Sequence, residues 1–116
     1  MAEYKKLIVW GKSIDFCTDI YRVTRSFPSK EDFGITSQLR RASVSIPSNI
    51  AEGSKRSTDK DFRSFLRIAH GSGAEIETQL LIAYKLNYLD KKKYIELGDS
   101  LDQIMKMLGG LIKKLN

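Results

Sequence analysis

Few side chains in this sequence could do covalent or metal chemistry. The 116 residues include one histidine, His70, and one cysteine, Cys17. A single histidine excludes any site that needs two within one chain, including the paired Glu-x-x-His motifs of di-iron bundles. A single cysteine excludes an internal disulfide framework and an all-cysteine metal cage. Ser72 follows His70 by two residues, but positions two apart on a helix point in different directions. No acid is placed to orient the imidazole, so the pair fails the geometry of a catalytic dyad. His70 reads instead as solvent-facing or phosphate-contacting. The runs Glu52-Gly53-Ser54-Lys55 and His70-Gly71-Ser72-Gly73 lack the full phosphate-loop pattern, and neither follows a strand. Glu75 and Glu77 cannot face each other across so short a helical step. Cys17 falls on an apolar stripe and reads as a small buried hydrophobe. The expectation is a protein that is not an enzyme and holds neither cofactor nor metal.

The basic residues carry more information. Twenty Lys and Arg against fourteen Asp and Glu give a net charge of +6 and a pI near 9.5. Lys60, Arg63, Arg67 and His70 recur at spacings of 3, 4 and 3, which is one stripe of a helix. Arg40-Arg41 and Lys55-Arg56 mark the two ends of the preceding segment. Residues 36–74 hold seven Lys or Arg and three Asp or Glu, a local net of +4. Such a surface can neutralise phosphates and make binding salt-dependent. The candidate nucleic-acid contacts are therefore Arg40, Arg41, Lys55, Arg56, Lys60, Arg63 and Arg67. A charged helix face that is merely solvated fits the same spacing, because net charge by itself supports only non-specific attraction. Arg40 or Arg41, at the edge of the core, is the best candidate for a structural pair. No helix-turn-helix, zinc-finger or RNA-recognition signature is present.

The elements that must carry these residues are helical. In the first segment, about residues 4–26, Leu7, Trp10, Ile14, Cys17 and Tyr21 form one apolar stripe. Val9, Phe16, Ile20 and Val23 form another, roughly 120° away. Either both flank one wide core face, or the second is a contact between subunits, as surplus apolar surface often is. On the second reading Val9, Phe16, Ile20 and Val23 are the candidate oligomer interface. The second helix, about 36–56, has Thr36 as its expected N-cap and Leu39, Ala42, Ile46, Ile50 and Gly53 on one face. Pro47 should kink it without ending it. The third, about 59–87, follows a capping box of Thr58 and Asp61. Its core face is Phe62, Phe65, Leu66, Ala69, Gly73, Ile76, Leu80 and Ala83. Gly71 and Gly73 weaken this helix, and a close approach by a neighbouring helix is the expected compensation. The fourth, about 91–115, carries Tyr94, Leu97, Leu101, Ile104, Leu108, Leu111 and Leu115 at alternating spacings of 3 and 4. Four such helices with short links make a single all-α domain over 1–116, an antiparallel up-down-up-down four-helix bundle. No apolar run approaches the length of a membrane span, and a cytoplasmic protein is expected.

The run Gln38-Leu39-Arg40-Arg41-Ala42-Ser43-Val44-Ser45-Ile46-Pro47-Ser48-Asn49-Ile50-Ala51-Glu52-Gly53 resembles the signature of the bacterial four helix bundle protein family. That family includes proteins encoded in intervening sequences of 23S rRNA genes. The run from Phe62 to Ser72 and the run from Glu75 to Leu80 fit it as well, and the resemblance covers roughly residues 7–108. It implies a homopentameric ring of four-helix bundles. It also implies kinship to the accessory protein of diversity-generating retroelements, a basic pentamer that engages nucleic acid and a reverse transcriptase. Five copies of a +6 chain carry +30, so weak contacts can add by multivalency. Arg40, Arg41, Asn49, Glu52, Gly53, Phe65, Glu75 and Gln79 occupy family motif positions; the polar ones read as a hydrogen-bond network between helices. The leading expectation is an oligomer that binds nucleic acid, structured RNA above all, through basic helix faces. The alternative is a protein-interaction scaffold or accessory subunit for a polymerase or ribosomal component.

Overall fold

The structure is a computed structural model that describes residues 3–116; the first two residues of the expected domain lie outside it. Four helices follow in order: α1 (Ile8–Thr24), α2 (Ile35–Ser54), α3 (Asp59–Lys85) and α4 (Lys91–Lys114). Among the described residues there is no strand. Each helix packs on its chain neighbours, and α1 also meets α4, which closes an antiparallel four-helix bundle of 43 × 24 × 20 Å. Among the described residues no helix is long and apolar enough to cross a membrane.

Apolar periodicity decides which faces meet. On α2, Leu39, Ala42, Ile46, Ile50 and Gly53 are all buried. On α3, Phe62, Leu66, Ala69, Gly73, Ile76, Leu80 and Ala83 are buried, and Phe65 is half-buried. Leu97, Leu101, Ile104 and Leu108 form the buried seam of α4. Truncating such a fully enclosed leucine to alanine costs about 2–5 kcal/mol. Pro47 lies inside a continuous α2 and is itself buried, as expected from the apolar spacing that runs through it.

Local signals explain the helix ends. The Thr58 hydroxyl accepts from the Asp61 amide at 3.1 Å, and the Asp90 carboxylate accepts from the Lys93 amide at 2.7 Å. Each satisfies one of the amides that the first turn of a helix leaves without a partner. Asn87, in the left-handed region at φ 63°, turns the chain from α3 to α4. Two boundaries differ from expectation. Residues Tyr4–Lys6 form a separate 3-10 turn, because Leu7 is extended and folds inward onto the core before α1 starts. α2 begins at Ile35 with Gly34 as its N-cap, so Thr36 is not the cap. Thr36 is buried in the first turn, and its hydroxyl oxygen has no partner among the described residues.

The candidate subunit interface on α1 is corrected. Val9, Phe16 and Ile20 are 4%, 2% and 0% exposed, and Val23 is half-buried against the same core. These residues face the inside of their own bundle. Ser13 and Thr24 complete that face because their hydroxyls donate to the Trp10 and Ile20 carbonyls, both at 2.7 Å. The outward stripe is the other one. Trp10, Ile14 and Cys17 border an open groove with Val44, Pro47 and Ala51 of α2. The expected close approach holds for only one glycine of α3. A Cβ at Gly73 would run into the Met105 side chain of α4, whereas one at Gly71 would meet nothing within 4 Å.

Candidate nucleic-acid interface

The topology brings three distant segments to one end of the bundle: the start of α1, the α2–α3 turn and the end of α4. Leu7, Arg56, Phe62, Leu111 and Lys114 line one hollow of about 490 Å³ there. The Lys55 ammonium sits 5.4 Å from the centre of the Tyr4 ring. Segments 3–7, 52–63 and 111–116 hold eight Lys or Arg and four Asp or Glu. The opposite end, formed by 22–34 and 85–96, holds seven and four. The waist between them holds five and six. The net positive charge therefore lies wholly at the two ends.

The seven candidate cations do not form one face. Arg40 is engaged inside the molecule. Its Nε donates to the Thr24 hydroxyl at 2.9 Å, one Nη donates to the Tyr21 carbonyl at 3.4 Å, and its guanidinium covers the Tyr21 ring at 4.8 Å. Arg63 is half-buried and donates to the Leu115 carbonyl at 2.7 Å. Both have a structural role: Arg40 spends two of its five donors within the fold and Arg63 one. Arg56 is exposed; it pairs with Glu52 at 3.0 Å and lies over the Phe65 ring at 4.7 Å. A surface pair of this kind is weak and can exchange for a phosphate. Lys55, Lys60, Arg67 and Arg41 are exposed and, among the described residues, have no ion-pair partner. Arg41 stands apart from the basic end, in a groove between α2 and α3.

Lys5, Lys6, Lys113 and Lys114 join Lys55 and Lys60 at the same end, and all six are exposed. Reading stripes within single helices missed these four. Their signal was topological: in an up-down-up-down bundle, the first helix start, the second turn and the last helix end coincide. The end presents these six ammonium groups, of which Lys114 borders the hollow walled in part by Leu7, Phe62 and Leu111. That arrangement can neutralise several phosphates at once.

The polar motif positions are partly a network, as expected. The Ser45 and Ser72 hydroxyls are 2.8 Å apart across α2 and α3, and Asn49 donates to the Ser45 carbonyl and hydroxyl at 2.8 and 2.9 Å. Ser72 is thus committed to Ser45 and not to His70.

Comparison with known proteins agrees with this architecture. The sequence model for the 23S rRNA-intervening sequence protein matches residues 5–110. A solved structure from Bacteroides thetaiotaomicron, a protein of unknown function from the S23 ribosomal protein family, superposes with a TM-score of 0.85 at 26% identity. The alignment covers 91% of this chain and 96% of that one. No curated protein matches the sequence.

Proposed function

The chain belongs to the 23S rRNA-intervening sequence protein family, and from that premise we propose that it is a non-enzymatic, self-assembling protein that binds structured RNA through the basic end of its bundle. The observation that carries this reading is the convergence of Lys5, Lys6, Lys55, Lys60, Lys113 and Lys114 on one end, without ion-pair partners among the described residues. Assembly into a ring, pentameric by the resemblance, multiplies that surface and converts weak contacts into avidity. The cytoplasm is the compartment in which such a protein meets RNA. The test is binding to structured RNA and duplex DNA over a salt series, for the wild type and for a Lys55→Glu, Lys60→Glu, Lys114→Glu variant. Binding that weakens with salt and collapses in the variant supports the reading. No binding at low salt, or unchanged binding in the variant, removes it.

A second reading rests on the outward α1 stripe. Ile14, Tyr21 and Val44 are about two-fifths exposed, and the groove beside them, lined in part by Trp10, Pro47 and Ala51, contains no charged residue. Such a face suits a protein partner or a second copy. A partner captured from lysate that survives nuclease and high salt, and that Ile14→Glu releases, would favour it.

A further inference from the structure

The end of the bundle opposite Lys55 and Lys60 carries an aromatic ring that the fold leaves uncovered. Phe33, in the link between α1 and α2, is 100% exposed, whereas no other large apolar side chain of the described residues exceeds 68%. The link that holds it is ordered. Glu31, Asp32 and Gly34 donate backbone hydrogen bonds to Pro28, Ser29 and Glu31 at 2.9, 3.1 and 2.9 Å. The Tyr88 hydroxyl donates to Glu31 at 2.8 Å, and the Phe27 ring packs on Tyr88 at 5.4 Å, so the link is tied to the α3–α4 turn. Phe33 is thus held outward by its surroundings. The other rings nearby are paired, Phe27 with Tyr88 and Tyr84 with Tyr94, the latter stacked at 4.6 Å. Phe33 has neither an aromatic nor a cationic partner among the described residues. Arg25, Lys30, Lys85, Lys91 and Lys92 share this end; all are exposed and, among the described residues, unpaired. Of the carboxylates there, Glu31 is engaged by Tyr88, Asp90 by the Lys93 amide and Glu96 by the Lys93 ammonium. Only Asp32 is left to offset the five cations, at an end that is 24 × 20 Å across.

We propose that Phe33 is a stacking platform for an unpaired base, and that this end of the bundle holds a single-stranded segment of RNA. Five unpaired cations attract a polyanion, and an open flat ring takes a flat apolar group. Single-stranded nucleic acid supplies both, phosphate by phosphate and base by base. In a duplex the faces of the bases are already stacked on one another, so the target is a loop, a tail or a free strand. A phenyl ring has no hydrogen-bonding group and the cations meet only phosphate, so the contact carries little base preference. A membrane surface also combines anions with apolar matter, but it takes a broad apolar face. Here the uncovered surface is one ring among cations, and Leu86 and Ile95 keep about half of theirs covered. The inference rests on the nucleic-acid reading for the class of partner, but it uses no residue of the Lys55–Lys60 end.

The experiment uses the full-length protein. Phe33→Trp adds an indole at the site, and its emission above that of the wild type reports stacking. Oligouridylate is expected to quench this added emission in a saturable way, and a blunt RNA duplex is not. In anisotropy titrations with labelled oligouridylate, Phe33→Ala should weaken binding about 5–100-fold, the range that one base stacked on a side chain is worth. Phe33→Leu keeps an apolar side chain without a ring face and should be nearly as weak, whereas Phe33→Trp should bind at least as tightly as the wild type. All three variants should keep the wild-type melting temperature, because the ring is uncovered in the fold. The Lys55→Glu, Lys60→Glu, Lys114→Glu change, added to Phe33→Trp, should leave the quenching in place while structured-RNA binding is lost. No quenching, equal quenching by the duplex, or wild-type affinity in Phe33→Leu would each overturn the proposal. So would a response to phosphatidylserine vesicles with none to oligouridylate, which assigns the ring to a lipid surface, or a changed solution mass in Phe33→Ala, which assigns it to a second copy. Structured-RNA binding that depends on the three lysines, without quenching, sinks the stacking platform alone. Quenching without structured-RNA binding sinks the reading of the basic end alone.

Discussion

Arg63 donates to the carbonyl oxygen of Leu115 at 2.7 Å and so ties the first half of α3 to the last turn of α4. The final carbonyls of a helix have no partner within it, and a cation there also complements the helix dipole. The bond is a fastener, so a residue on a regular basic stripe has a structural role as well. Arg63→Ala should cost about 1.5–3 kcal/mol, the usual worth of a hydrogen bond that involves a charged group. Chemical denaturation would measure the loss, and hydrogen exchange should quicken at residues 111–115. Arg67→Ala, one turn along and exposed, should change stability by no more than about 0.5 kcal/mol.

Gly53 and Gly71 should respond to alanine with opposite signs. A Cβ at Gly53 would stand 2.6 Å from the Phe65 Cβ and 3.3 Å from the Phe62 carbonyl oxygen. Neither atom can swing away, so α2 and α3 must separate. Gly53→Ala should destabilise by about 1–3 kcal/mol. Gly71 has open space around its missing Cβ, and Gly71→Ala should stabilise by up to about 1 kcal/mol through helix propensity. Urea midpoints of the two variants should move in opposite directions around the wild type.

The faces of α2, α3 and α4 were legible because their apolar spacing is unbroken, from Leu39 to Gly53 and from Leu97 to Leu108. On α1 the reading left the stripe of Val9, Phe16, Ile20 and Val23 open between core and subunit contact, and the structure places it in the core. Its true core face includes Ser13 and Thr24, whose hydroxyls are satisfied by carbonyls of their own helix and therefore bury cheaply. Its outward stripe, Trp10 to Tyr21, is uninterrupted by polar residues, so apolar spacing could not separate the two. Thr36 had the chemistry of a cap but sits two residues past the N-cap, Gly34, and so cannot serve as one. The lysines at the basic end were hidden for a different reason. Lys5 and Lys114 are 109 positions apart, and no window of sequence shows both; only the order of the helices does.

Tyr88 should give stability an alkaline limit. Its hydroxyl donates to a Glu31 carboxylate oxygen at 2.8 Å, fastening α4's approach to the α1–α2 link. That hydrogen bond first, then burial and the carboxylate's charge, push the phenol above its ordinary value of 10.0. The folded state therefore holds the proton at pH values where the unfolded state has released it. The sign follows: the contribution is fully present below pH 10 and is lost as pH rises through the folded value. Thermal unfolding of the wild type should fall in that alkaline window, and Tyr88→Phe should flatten the difference between pH 9 and higher pH.

Segregated charge makes the salt dependence of binding a map of the surface. Each lysine that neutralises a phosphate releases counterions, and its removal lowers the slope of log affinity against log salt by about 1. Lys55→Gln, Lys60→Gln and Lys114→Gln, which draw on the α2–α3 turn and the end of α4, should together reduce the slope by about 3. Arg40→Gln should leave the slope unchanged, because that guanidinium is already committed to Thr24 and Tyr21; its effect should appear as a lower melting temperature. Lys91→Gln, Lys92→Gln and Lys93→Gln test the opposite end. Lys93 there is paired with Glu96 at 3.2 Å and Arg22 with Asp19 at 3.3 Å, so fewer free cations remain and a smaller change is expected. A larger loss from the 91–93 triple than from the 55–60–114 triple would move the binding surface to the other end of the bundle. Equal losses would mean that RNA spans both ends across the 43 Å long axis.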